Sequence, residues 1–150
     1  MHIRRATLLD ARAMAELLNE IISQGGTTAI QAPLTSNDMK AKIGSNAAQS
    51  AWSLAESDTG ELLGFQYIKP NLSLPEGACD IATFARVGRT QLGIGSALFE
   101  ATRNAANTLG YSWINATIRS YNEGGLAYYQ SRGFEPYKRD ENSVFMRYNL

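Results

Sequence analysis

The residues with the clearest chemistry run from Asp80 to Leu98. A strand pattern, Ile81-Ala82-Thr83-Phe84, leads through a loop, Arg86-Val87-Gly88-Arg89, into Thr90-Gln91-Leu92-Gly93-Ile94-Gly95-Ser96, and a helical pattern follows. Glycines at a helix start leave backbone N–H groups unshielded. With the positive end of the helix dipole, those groups make an anion site. The same two glycines would also serve a plain strand-to-helix turn. Two phosphate motifs match poorly. A P-loop needs Gly-Lys-Ser/Thr, and Gly95-Ser96-Ala97 has no lysine. A dinucleotide fingerprint needs a third small residue where Leu98 stands.

The segments that must position this loop alternate between strand and helix patterns, which predicts an α/β or mixed α+β fold. Ile3 to Thr7 reads as a short strand, and Thr7-Leu8-Leu9-Asp10 has the spacing of a capping box. Met14, Leu17, Leu18, Ile21 and Ile22 then form one apolar helix face. Gln24 to Pro33 reads as loop, and Thr35-Ser36-Asn37-Asp38 starts a short helix ending near Gly44. Ala51 to Glu56 and Leu62 to Lys69 form a hairpin around Ser57-Asp58-Thr59-Gly60. Ala78 to Phe84 is a fourth strand. Ile94, Ala97, Leu98, Ala101, Ala105 and Leu109 mark a long helix that Gly110 stops. Trp113 to Ile118 is a strand, Leu126 to Arg132 a short helix, and Ser143 to Tyr148 a last strand. A further small strand falls near Phe134 to Tyr137.

Placed on these elements, the glycine segment resembles the pyrophosphate loop of the GNAT superfamily of N-acetyltransferases, Arg/Gln-x-x-Gly-x-Gly/Ala, between a strand and a helix. Here it reads Thr90-Gln91-Leu92-Gly93-Ile94-Gly95, with Thr90 in place of the Arg or Gln. A second motif of that family, Asn-x-x-Ala/Gly-x-x-x-Tyr-x-x-x-Gly-Phe, is matched by Asn122, Gly125, Tyr129, Gly133 and Phe134 in register. The resemblance spans essentially the whole chain. It implies a single domain over residues 1–150 with a central, mostly antiparallel sheet, splayed fourth and fifth strands, and about four flanking helices.

It also implies a chemistry. An amine attacks the acetyl carbonyl of acetyl-CoA directly, through a tetrahedral intermediate. The reaction needs a neutral amine, a donor for the developing oxyanion and a proton for the departing thiolate. The cofactor-binding residues implied are Phe84, Ala85, Arg86, Thr90, Gln91, Leu92, Gly93, Ile94, Gly95, Ser96 and Asn122, with the oxyanion donor a backbone N–H around Phe84. Tyr129 is the implied acid, because a phenol of pKa near 10 can protonate a thiolate. The seven-residue step from Asn122 is nearly two turns and lets both face one cleft. Tyr128 is turned about 100° from Tyr129 and reads as packing. Asn122 also suits a helix N-cap. Asp80 is the implied acidic residue near the acceptor; its plainer reading is a strand-end carboxylate bonded to solvent or Arg86.

Composition narrows the partners. Fourteen Lys+Arg balance fourteen Asp+Glu, so nothing favours nucleic acid. One cysteine, Cys79, excludes an intrachain disulfide and a multi-cysteine metal site, and it reads as core rather than nucleophile. His2 is given no role. No metal is expected. No run approaches the roughly 18 apolar residues of a membrane span, and no leader is recognisable, so a cytoplasmic protein is expected. The segment Ser23 to Leu34 carries no charge, which disfavours polyamine acceptors. Its stretch Thr27 to Thr35 resembles acetyltransferases of amino-acid-like compounds such as phosphinothricin. The expected acceptor is a small-molecule primary amine. A protein or peptide amine, a non-catalytic CoA-binding domain and a nucleotide-binding module are the alternatives. Phe145, Tyr148 and Leu150 beside an expected edge strand suggest a homodimer.

Overall fold

Two capping boxes set the starts of the first helical segments. The Asp10 carboxylate accepts from Thr7 N at 2.8 Å, and the Thr7 hydroxyl accepts from Leu9 N at 3.3 Å, within a 3-10 turn that leads into helix α1 (Ala11–Gln24). Arg4 donates to both Asp10 oxygens and holds that carboxyl below its usual range. Thr35 and Asp38 repeat the reciprocal cap at α2 (Ser36–Gly44), with bonds of 2.8 and 3.0 Å. Helix α1 buries Ala11, Met14, Ala15, Leu17, Leu18 and Ile21, the face its periodicity predicts.

The computed structural model describes residues 1–25, 28, 32–86, 88 and 93–150. Among these, the strands are β1 (His2–Arg5), β2 (Ala51–Glu56), β3 (Leu62–Pro70), β4 (Ala78–Ala85), β5 (Trp113–Arg119), β6 (Glu135–Arg139) and β7 (Ser143–Asn149). Helix α3 (Ile94–Leu109) joins β4 to β5, and α4 (Glu123–Ser131) joins β5 to β6. The strands form one sheet in the order β1-β2-β3-β4-β5-β7-β6. Every neighbouring pair is antiparallel except β4 and β5, which are parallel. The mixed α/β sheet and the four helices agree with the class expected from sequence.

Two apolar layers cover the sheet. On one face, Ile68, Cys79, Ile81, Ile114, Ala116, Ile118 and Tyr129 pack with Phe99 and Phe134 under α3 and α4. On the other, α1 and α2 cover Trp52, Leu54, Phe65, Tyr67 and Phe84. One expectation is corrected. The buried stripe of α3 keeps Ile94, Leu98 and Ala105 but adds Phe99, Thr102 and Ala106, and it leaves Leu109 exposed. Phe99 draws the helix round because its ring fills the space between Phe134 (5.4 Å) and Tyr148 (5.1 Å). The chain's last strand lies beside the edge strand. All seven residues of β7 pair with β5, and the short β6 folds back on its outer side as the edge. Tyr148 is partly buried against the core.

Candidate functional site

The sheet comes apart between β4 and β5. Their pairing is limited to Ala78 with Trp113, Cys79 with Ile114 and Asp80 with Asn115. Beyond that point β4 stays on β3 as far as Ala85 with Gly64, and β5 stays on β7 as far as Arg119 with Ser143. The two strands diverge like a fork. Alternate residues of 81–85 therefore turn backbone N–H and C=O groups into the gap, where no strand among the described residues answers them.

Helix α3 begins at one side of this fork. Gly93 is its N-cap with φ +74°, a conformation that costs a residue with a Cβ but not glycine. The amides of its first turn have no intrahelical acceptor, and no acidic residue lies in that turn. Arg132, at the end of α4, donates from Nη1 to Ser96 Oγ at 2.7 Å and adds a positive charge there. Gly95 has a different reason to be glycine. A Cβ at that position would lie 2.5 Å from Tyr128 Cε1, and the Tyr128 hydroxyl donates to the Gly95 carbonyl at 2.7 Å. Tyr128 thus packs α4 against α3 at Gly95. Ile94 is buried with Leu98, Ala55 and Leu63. Thr90, Gln91 and Leu92 lie outside the described residues.

The two adjacent tyrosines are joined through the sheet. Buried Gln66 donates from Nε2 to Tyr128 Oη at 3.0 Å and to Thr83 Oγ1 at 2.9 Å. Thr83 Oγ1 lies 2.8 Å from Tyr129 Oη. Tyr128 was expected only to pack, because its helical angle turns it from Tyr129. The close approach of α3 brings it onto Gly95, and its single proton is committed there. Tyr129 is 7% exposed, and burial raises its phenol well above the usual tyrosine range. Thr83 can donate to Tyr129 Oη and leave the Tyr129 proton uncommitted. Asn122 caps α4, its Oδ1 accepting from Gly125 N at 3.0 Å.

Asp80 stands at the crotch of the fork on the opposite face. Its Oδ1 accepts from Asn115 Nδ2 at 3.0 Å and its Oδ2 from Asn71 Nδ2 at 3.4 Å. It does not pair with Arg86. That side chain instead donates from Nε to the Leu62 carbonyl at 2.9 Å and from Nη1 to Glu20 at 2.9 Å. Phe84 lies in the α1 layer, its ring 5.0 Å from that of Phe65, and Ala85 ends the β3 ladder. Cys79 is fully buried, and burial first, then the Asp80 charge, pushes its thiol up to about 12, so no thiolate forms near neutrality. His2 lies in β1 at the far edge of the sheet.

The structure thus brings Asp80, Phe84, Ala85, Gly93, Gly95, Ser96, Asn122 and Tyr129 to elements that border one fork, and it turns Arg86 away to Glu20. Sequence reasoning missed Gln66, Thr83, Asn115, Tyr137 and Arg132. Arg132 adjoins the Gly133-Phe134 motif and was the one open to detection; the others are set by strand register.

No protein-family model and no curated protein matches this sequence. Solved structures do match its fold. A phosphinothricin acetyltransferase of the GNAT superfamily from Sinorhizobium meliloti, in complex with acetyl-CoA, aligns at a TM-score of 0.89 and 20% identity over 99% of this chain and 88% of its own. A ribosomal-protein-alanine N-acetyltransferase from Brucella melitensis aligns at 0.87 and 18% identity over 100% of both chains. A GCN5-related N-acetyltransferase from Kribbella flavida aligns at 0.88 and 21% identity over 99% of this chain and 97% of its own. The chain has the fold of the GNAT superfamily of N-acetyltransferases.

Proposed function

We propose that the chain is an acetyl-CoA-dependent N-acetyltransferase that moves acetyl to the primary amine of a small molecule by direct attack. The observation that carries this reading is the fork. It opens between a helix start free of acidic residues on one face and a fixed carboxylate on the other. The site fits acetyl-CoA on its own chemistry. A pyrophosphate needs N–H donors and positive charge, and the first turn of α3 with Arg132 supplies both. An extended amide chain needs strand partners, and the unanswered edge of 81–85 supplies them. Bound there, acetyl-CoA supplies an activated acetyl thioester.

The chain's own residues then divide the work. Amides of the segment Gln91 to Ser96 hold the pyrophosphate, and Asn122 lines the cleft while capping α4. A backbone N–H near Phe84 stabilises charge on the carbonyl oxygen. Tyr129, kept protonated by burial, gives its proton to the leaving sulfur. Asp80 receives the acceptor ammonium and takes its proton, leaving the neutral amine that attack requires. Glu20 is paired with Arg86, which leaves it less able to recruit a polycation. The phosphinothricin and ribosomal-protein enzymes show that one fold serves small and protein acceptors. The test is an amine library assayed for thiol release from acetyl-CoA. Small amines and amino-acid-like amines are expected to turn over. Turnover confined to lysine-rich peptides or polyamines would overturn the acceptor, and no turnover with any amine would overturn the activity.

A further inference from the structure

Asp80 does not hold its own position. Asn115, its partner in the last rung before the fork, is 1% exposed and has every polar atom engaged. One Nδ2 proton goes to Asp80 Oδ1 and the other to Thr117 Oγ1, each at 3.0 Å. Its Oδ1 accepts from the Tyr137 hydroxyl. This pattern admits one orientation of the amide. Turned over, Asn115 would set its oxygen against the Asp80 carboxylate, two acceptors with no proton between them.

The Tyr137 contact depends on an irregularity. Pro136 pairs with Met146 and Lys138 with Phe145, so Tyr137 is the extra residue of a bulge in the edge strand β6. A bulge re-aims a side chain and bends the strand. Here it brings the phenol from the edge strand, across β7, to a residue of β5, with its ring against Trp113 at 5.7 Å. Tyr137 is 46% exposed, so burial alone does not explain the arrangement.

Resting on the acetyltransferase reading above, we propose that Asn115 and Tyr137 are positioning residues for the acceptor amine, a brace that fixes the Asp80 carboxylate at the fork. The chain of contacts runs Tyr137, Asn115, Asp80, and Asn71 closes it from the other side. Among the described residues, Tyr67 and Lys69 on β3, Cys79 on β4, Tyr129 on α4, Tyr137 on β6 and Arg147 on β7 are the other titratable groups around this carboxylate. The Tyr137 phenol is raised first by burial and then by the Asp80 charge, and lowered by Arg147.

The test uses Tyr137→Phe, which removes one hydroxyl from a half-exposed ring, in the full chain. The expected result is about a tenfold fall in kcat/KM for the amine, with KM for acetyl-CoA unchanged and the melting temperature modestly lower because the buried Asn115 oxygen loses its donor. A purely structural role would lower the melting temperature without a selective fall for the amine, or would weaken both substrates alike. The second measurement needs no activity. The Tyr137 phenol is titrated by NMR on carbon-13-labelled tyrosine, assigned with Tyr137→Phe, in the parent and in Asp80→Asn. Its midpoint should fall in Asp80→Asn. An unchanged kcat/KM for the amine in Tyr137→Phe overturns the brace, and so does an unmoved Tyr137 midpoint. Failure of the parent to acetylate any amine overturns the proposed activity, and the Tyr137 midpoint still decides whether the two groups are coupled.

Discussion

Two neighbouring tyrosines divide by what their protons are bonded to. Tyr128 donates to the Gly95 carbonyl and accepts from Gln66, so it is spent on structure. Tyr129 has the Thr83 hydroxyl beside it, a partner able to donate. Tyr129→Phe is therefore expected to lower turnover by about 100- to 10,000-fold with acetyl-CoA affinity nearly unchanged, measured by steady-state kinetics and titration calorimetry. Tyr128→Phe should instead cost stability, read as a lower melting temperature. The raised groups also set an alkaline limit. Burial pushes Tyr67 up to about 12 from an ordinary 10.0, and the Asp80 charge adds to it. The folded state favours the neutral phenol, so its contribution is complete below pH 10 and is lost as pH rises towards 12. The urea midpoint should hold level up to about pH 9 and fall above it, and Tyr67→Phe should flatten that fall.

At the scale of elements, the start of α3 combines two glycines with separate duties. Gly93 needs its backbone angle, and a Cβ there would meet nothing within 4 Å. Gly95 needs its space, because the Tyr128 ring fills the position of a Cβ and is pinned by two hydrogen bonds. Alanine in a first helical turn ordinarily gains up to about 1 kcal/mol over glycine. At Gly95 the 2.5 Å contact outweighs that gain, and Gly95→Ala should destabilise by roughly 1–3 kcal/mol in chemical denaturation. Gly93→Asn, which tolerates the left-handed angle, should keep most of the stability that Gly93→Val loses. If Gly93→Val folds normally and binds acetyl-CoA as the parent does, the helix start is not the anion site.

For the molecule as a whole, fourteen positive and fourteen negative side chains leave no net field to attract a charged partner. Modest salt should thus change the apparent affinity for the acceptor only slightly. No helix among the described residues is long and apolar enough to cross a membrane. Acetyl-CoA at a hundred times its dissociation constant should add about 2.7 kcal/mol, a rise of roughly 5–10 °C in melting temperature for a chain of this size. ATP and NAD at the same concentration should leave the melting temperature unmoved. The edge strand beside the chain's last strand is the exposed β6, the surface on which the homodimer expected from sequence is tested. Light scattering at micromolar concentration reads the oligomeric state directly.

The sequence by itself determined what is local. The Thr7/Asp10 and Thr35/Asp38 caps, the apolar face of α1, the hairpin of β2 and β3 and the glycine start of α3 all appear where spacing placed them. Each rests on contacts within a few residues, so the pattern carries its own cause. The Asn122 and Tyr129 spacing was legible for the same reason. Tertiary structure decided what depends on strands distant in sequence. It decided that β4 and β5 part at Asp80, that β7 slips inside β6, and that Tyr128 reaches Gly95 33 residues away. Gln66, Thr83, Asn115 and Tyr137 gain their partners only from register and a bulge. A one-residue slip would turn each of those side chains to the other face, and no periodicity within a single strand fixes that choice.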